Sequence, residues 1–160
     1  MKNLISKHII LGVALLLTLQ LVSPINPARA GQVTPPRTRC FITIEDAHIS
    51  KYILRYEGRR AVKVNAYSTC NVTQSNVELT VKMFKDGRFG THLIKQRSTK
   101  ANSKASNGFV VTNFFTYEYC KNDTDSVYYG VAYSRAIING KLLLTAPAWS
   151  ENKLTLKCGT

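Results

Sequence analysis

Ser126–Pro147 reads SVYYGVAYSRAIINGKLLLTAP, and its reading decides the fold. Asn139-Gly140 is the favoured pair for a two-residue type I′ hairpin turn, because both turn positions need positive φ. With the turn there, Ile137 faces Leu142, Arg135 faces Leu144 and Tyr133 faces Ala146. Period-two alternation adds Val127, Tyr129 and Val131 to the same face. That face is apolar with one Arg intruding. The other carries Tyr128, Gly130, Ala132, Ser134 and Ala136 and is smaller and more mixed. The stretch specifies a β-core and leaves the reaction, if any, unspecified.

Working outward, Ser75–Phe84 shows the cleanest alternation: Val77, Leu79, Val81 and Met83 on one face, Glu78, Thr80, Lys82 and Phe84 on the other. Asp86-Gly87 signals a hairpin turn, and Thr91–Arg97 returns. Phe109–Tyr119 (FVVTNFFTYEY) is an aromatic-rich strand, Lys121–Asp125 a turn and Leu154–Lys157 a final strand. Towards the N-terminus, Cys40–Glu45, Lys51–Tyr56 and Ala61–Tyr67 read as strands, the last two joined across Glu57-Gly58-Arg59-Arg60. Ser98–Gly108 is polar and long for a loop of a compact domain. No helix or internal repeat is expected after residue 30. Short strands separated by turn signals predict an all-β, antiparallel sandwich over residues 40–160, with a small closed barrel as the alternative.

Residues 1–30 read as a signal peptide. Lys2 and Lys7 give a positive start, Ile9–Leu19 an apolar run too short to span a bilayer comfortably, and Ala28-Arg29-Ala30 a cleavage signal. Residues 31–39 (GQVTPPRTR) form a flexible lead-in. The protein is therefore expected to be secreted. The four cysteines, Cys40, Cys70, Cys120 and Cys158, all follow the cleavage point, and an even count in an exported chain predicts two disulfides. Four cysteines admit three pairings. If Asp46–Ser50 is a kink and not a reversal, Cys40 and Cys70 meet at the open end of a long hairpin, which favours Cys40–Cys70 and leaves Cys120–Cys158. Without a C-x-x-C or a close Cys/His pair, no metal is expected.

The C-terminal stretch has a Cys, a short polar turn, a Tyr-rich strand (YYGVAYS), a second strand and a Cys two residues from the end. In this it resembles small exported β-sandwich proteins of Gram-positive bacteria. The resemblance implies a signal peptide, an immunoglobulin-like sandwich and two disulfides. It carries over no catalytic residue.

The chain holds 22 Lys and Arg against nine Asp and Glu, a formal charge of +13. Cleavage after Ala30 removes Lys2, Lys7 and Arg29, leaving 19 against nine, or +10. Such a balance suits an anionic partner: a cell-wall polymer, a membrane surface, an acidic protein or nucleic acid. The basic residues cluster, with Arg55, Arg59, Arg60 and Lys63 around the first hairpin turn, Lys82, Lys85 and Arg88 around the second, and Arg97, Lys100 and Lys104 in or beside the long loop. Loops and hairpin tips are where a sandwich commonly places binding residues, and Arg engages phosphate bidentately where Lys offers a point charge. The competing reading is charge that keeps sheet edges soluble. Nucleic acid would need a stacking platform beside the basic track, and alternation buries about half the aromatics of Phe109–Tyr119.

Enzymatic readings have thinner support. His48 and His92 with a nearby lysine, Lys63 or Lys95, make up the parts of a ribonuclease acid/base pair, but nothing in the sequence brings the two rings together. Glu45-Asp46 with Glu57 or Glu118 would be a glycosidase pair, against the plainer reading of a solvated turn in which Asp46 caps a backbone amide. There is no G-x-S-x-G and no glycine-rich phosphate loop, so no cofactor is expected. Asn71-Val72-Thr73 and Asn122-Asp123-Thr124 are glycosylation sequons that matter only in a eukaryotic secretory route. The sequence thus predicts a monomeric, non-enzymatic secreted binding protein, with an antimicrobial or toxin-like protein and a small ribonuclease as the alternatives.

Overall fold

In the computed structural model, residues 40–101 and 110–160 are described. The expected signal peptide, the lead-in 31–39 and Lys104 lie outside them. The elements run β1 Cys40–Ile44, β2 His48–Ile49, α1 Lys51–Glu57, β3 Ala61–Cys70, β4 Ser75–Gly87, β5 Gly90–Ala101, β6 Val110–Tyr119, β7 Asn122–Ile138, β8 Lys141–Leu144, β9 Ala148–Trp149 and β10 Leu154–Gly159. They form two antiparallel sheets. In the first, β3 pairs with β1 and β2 and with β6. In the second, the order is β10-β7-β4-β5, with β8 and β9 also on β7. Separate sheets make this a sandwich-like all-β fold and set the closed barrel aside.

β7 organises the second sheet. One side pairs with β4, and the other pairs in turn with β8, β9 and β10. Asn139 and Gly140 have φ of 50° and 72°, as a type I′ turn requires. Ile137 pairs with Leu142 and Arg135 with Leu144, the register expected. The faces are used differently from what their hydrophobicity suggests. Tyr128, Gly130, Ala132, Ser134 and Ala136 are buried between the sheets, while Arg135 is exposed and Tyr133 and Ile137 are half-buried on the outside. The small face goes inward because the sheets approach closely there: Ser68 Oγ of β3 donates to Ser134 Oγ at 3.1 Å. Val77, Leu79, Val81 and Met83 fill the core from β4, as the alternation predicts, against Val62, Val64 and Ala66 of β3.

Lys51–Tyr56, expected as a strand, is helical. Ser50 is its N-cap, its hydroxyl accepting from Ile53 N at 3.3 Å. Gly58 ends it at φ 64°, its N–H donating to Leu54 O. A Ser cap and a left-handed Gly bracket the segment more strongly than two apolar alternations argue for a strand. No hairpin therefore joins 51–56 to 61–67. Instead β1 and β2 both pair with β3, across a kink at residues 45–47. Cys40 thus lies opposite Cys70, and the bridges are Cys40–Cys70 and Cys120–Cys158. The first staples neighbouring strands, and the second ties the end of β6 to β10. Two further boundaries move. Ser98–Ala101, expected as the start of a loop, extends β5 against Val77–Thr80, with Thr80 and Ser98 hydroxyls 2.7 Å apart, and the rest of the expected loop, 102–108, lies outside the described residues. The turn after β6 shrinks to Cys120-Lys121, because residues 122–128 pair with β10.

Candidate functional site

The outer face of the first sheet is shaped by a β-bulge in β6. Val64 pairs with Thr116 and Ala66 with Asn113, so one residue of β3 opposes two of β6, Phe114 and Phe115. Asn113, fully buried, holds the bulge. Its Oδ1 accepts from Phe115 N at 3.2 Å and Thr116 Oγ1 at 3.1 Å, and its Nδ2 donates to Arg97 O at 3.0 Å and Leu79 O at 3.4 Å. Consecutive residues of a regular strand point to opposite faces. Here both phenylalanines are exposed, Phe115 at 65%.

Tyr117 and Tyr119 continue the aromatic row along β6, their rings 5.6 Å apart edge to face. Tyr67 of β3 meets Phe114 in the same way at 5.4 Å. Cations lie among the rings. Arg59 sits over Tyr119, its Cζ 3.7 Å from the centroid, and Lys63, which pairs with Tyr117 across the strands, places Nζ 5.5 Å from the centre of Phe114. β5 and β6 are edge strands of different sheets. Between them runs a cleft of about 460 Å³ lined by Lys95, Arg97, Ser98, Thr99, Phe115, Tyr117, Glu118 and Tyr119. Arg97 has no ion-pair partner among the described residues.

The carboxylates of this face are already engaged. Glu118 accepts from Lys95 Nζ at 2.7 Å. Glu57 accepts from the Tyr119 hydroxyl at 2.6 Å, which, with a lesser contribution from Tyr117, pushes the phenol pKa up to about 12. Glu45 accepts from Tyr67 Oη at 2.6 Å and Asn65 Nδ2 at 2.7 Å. The Tyr67 bond, helped by Asn65, holds the Glu45 carboxyl below the usual range against the opposing effect of burial, and raises the Tyr67 pKa in return. Burial lowers the Lys63 pKa, with Glu45 opposing. These bonds hold the Tyr67 and Tyr119 hydroxyls, so Glu45 and Glu57 are occupied within the face.

The expected basic residues scatter. Arg59, Lys63 and Arg97 come to the aromatic face. Arg55 lies on α1 beside Tyr56. Arg60 is tied to Asp123 and the Lys157 carbonyl, a structural role between β3 and β10. Lys85 donates to Thr160 O at 3.4 Å. Lys82 lies over Tyr133 on the outside of the second sheet, Arg88 sits in the exposed β4–β5 turn, and Lys100 shares a separate cleft with Arg135. Lys95, which the sequence suggested only as a cation beside a histidine pair, belongs to the central cleft. The doublet Phe114-Phe115 was the available signal, since two large aromatics in succession break strand alternation.

His48 lies in a cleft with Glu45 and Lys63, while His92 packs near Gly87 in the β4–β5 hairpin. The two do not share a described cleft. Asp46 accepts from Asn152 N and Nδ2 at 2.9 and 2.8 Å, the backbone-capping role, while Glu118 lines the β5–β6 cleft and Glu57 accepts from Tyr119. Among the described residues no three His, Cys, Asp or Glu gather as metal ligands. No protein-family model matches this chain, and neither a curated protein nor a solved structure matches it.

Proposed function

We propose that this protein is an exported, non-enzymatic binding protein whose β5–β6 cleft and adjoining aromatic face engage an anionic polymer. The observation that carries the reading is the bulge at Phe114-Phe115. It presents aromatic rings to solvent beside Arg59, Lys63, Lys95 and Arg97, an arrangement that offers both stacking surface and cationic contacts. An extended polymer fits a cleft that runs along a strand. The two disulfides suit an oxidising compartment outside the cytoplasm.

The test is retention of the domain, residues 31–160, on immobilised RNA, on an acidic polysaccharide and on purified cell wall across a salt series. Retention on at least one matrix that falls steeply with salt is expected. Phe115→Ala should weaken it about tenfold at every salt concentration. Arg97→Ala should weaken it and flatten the salt slope by about one ion. Retention unchanged in both variants would remove the cleft from the binding site.

A further inference from the structure

The end of the sandwich that carries the Cys40–Cys70 bridge has a different chemistry. There β7 turns into β8, and every β8 residue is exposed. Leu142, Leu143 and Leu144 are 60%, 42% and 71% exposed. Leu142 and Leu144 pair with Ile137 and Arg135, and Leu143 with Ala136, so the leucines project from both faces of the strand. Leu143 lines an apolar cleft of about 290 Å³ with Ala136, Ile138 and the bridge itself. An apolar patch of this kind on an edge strand is an aggregation liability unless something covers it.

The geometry narrows what covers it. A protein that adds a strand to β8 or packs on one face leaves leucines of the other face in water. A bilayer interface receives both faces together. The charges point the same way. Lys141 opens β8, and Lys100 and Arg135 share a cleft with Leu142. Glu78, the acid of that cleft, is bound to Arg135 Nε at 2.7 Å. That leaves Lys100 and Lys141 beside the exposed leucines, and apolar side chains flanked by lysines are matched to an anionic lipid surface.

We propose that the β7–β8 hairpin, through Leu142, Leu143 and Leu144, seats this end of the sandwich in the interface of an anionic bilayer. Leu142 and Leu144 enter the acyl boundary while Lys100 and Lys141 meet lipid headgroups. The β5–β6 cleft takes no part in this seating.

Flotation of the domain 31–160 with vesicles of equimolar phosphatidylcholine and phosphatidylglycerol tests the proposal, with pure phosphatidylcholine vesicles as comparison. Binding to the anionic vesicles is expected. Leu142→Ser with Leu144→Ser leaves the charge unchanged, removes exposed side chains only, and should lower the vesicle partition at least about tenfold. Arg97→Ala should float like the wild type, which separates this surface from the polymer cleft. Three results would overturn the proposal: no flotation of the wild type at low salt, equal flotation of the double serine variant, or a concentration-dependent dimer that the double variant dissolves, which would assign the patch to a second copy of the chain.

Discussion

Gly130 of β7 lies against Val64 of β3 so closely that a Cβ on the glycine would stand 2.5 Å from Val64 Cγ1 and 2.8 Å from Ile44 Cδ1. The two sheets touch here with no room for one methyl group. Gly130→Ala should therefore cost about 1–3 kcal/mol through overpacking, read from the midpoint of chemical denaturation. An unchanged midpoint would mean that the sheets are further apart than described.

Asn113 fills all of its hydrogen-bonding capacity in a buried position. Asn113→Ala leaves the Thr116 hydroxyl and the Arg97 and Leu79 carbonyls short of partners and should cost at least about 2 kcal/mol. It should also weaken polymer binding beyond what the stability loss explains, because the bulge that turns Phe115 outward relaxes. A variant with wild-type stability and binding would show that the bulge needs no such anchor.

Glu45 and Tyr67 set limits at both ends of the pH scale. The folded-state pKa of Glu45 is depressed, so its contribution is present above the unfolded carboxyl value and is lost as pH falls through the folded value. The folded-state pKa of Tyr67 is raised, so its contribution holds below the unfolded phenol value and is lost as pH rises through the folded one. Glu45→Gln should flatten the acid limb of the stability profile and bring Tyr67 back towards ordinary titration by ultraviolet absorbance. In the same titration Tyr119 should ionise late, near its value of about 12. If Glu45→Gln left both limbs unchanged, the hydrogen bond would carry no stability.

The two bridges close loops of similar length, with sequence separations of 30 and 38. Replacing either cysteine pair with serines should cost about 2–5 kcal/mol, and the two losses should be alike if chain entropy dominates. Mass mapping of non-reduced peptides checks the pairing. A peptide linking Cys40 to Cys120 or Cys158 would contradict it.

Local signals carried much of this fold. Asn139-Gly140 fixed the β7–β8 register, the Val77–Met83 alternation named the core face of β4, and the kink after Glu45 brought Cys40 to Cys70. What stayed hidden depended on contacts between sheets. Hydrophobicity favours Val127, Val131 and Ile137 as the inner face of β7, yet the approach of Val64 to Gly130 selects the smaller side. The helix at 51–57 was signalled by Ser50 and Gly58 and masked by the apolar alternation between them. Charge clustering along the sequence located only part of the candidate site. Arg59, Lys63, Lys95 and Arg97 are brought together by the pairing of β3 with β6 and the placement of β5 beside it, which short-range patterns do not encode.

The central claim concerns place, and an amide chemical-shift titration tests it most directly. The isotope-labelled domain would be titrated with the acidic polymer that retains it best. The account predicts shifts concentrated in Lys95–Thr99, Phe114–Tyr119 and residues 59–63, with the β4–β5 turn around Arg88 unmoved. Shifts centred on Arg88, or spread evenly over the basic surface, would contradict it and leave the charge without a specific binding site.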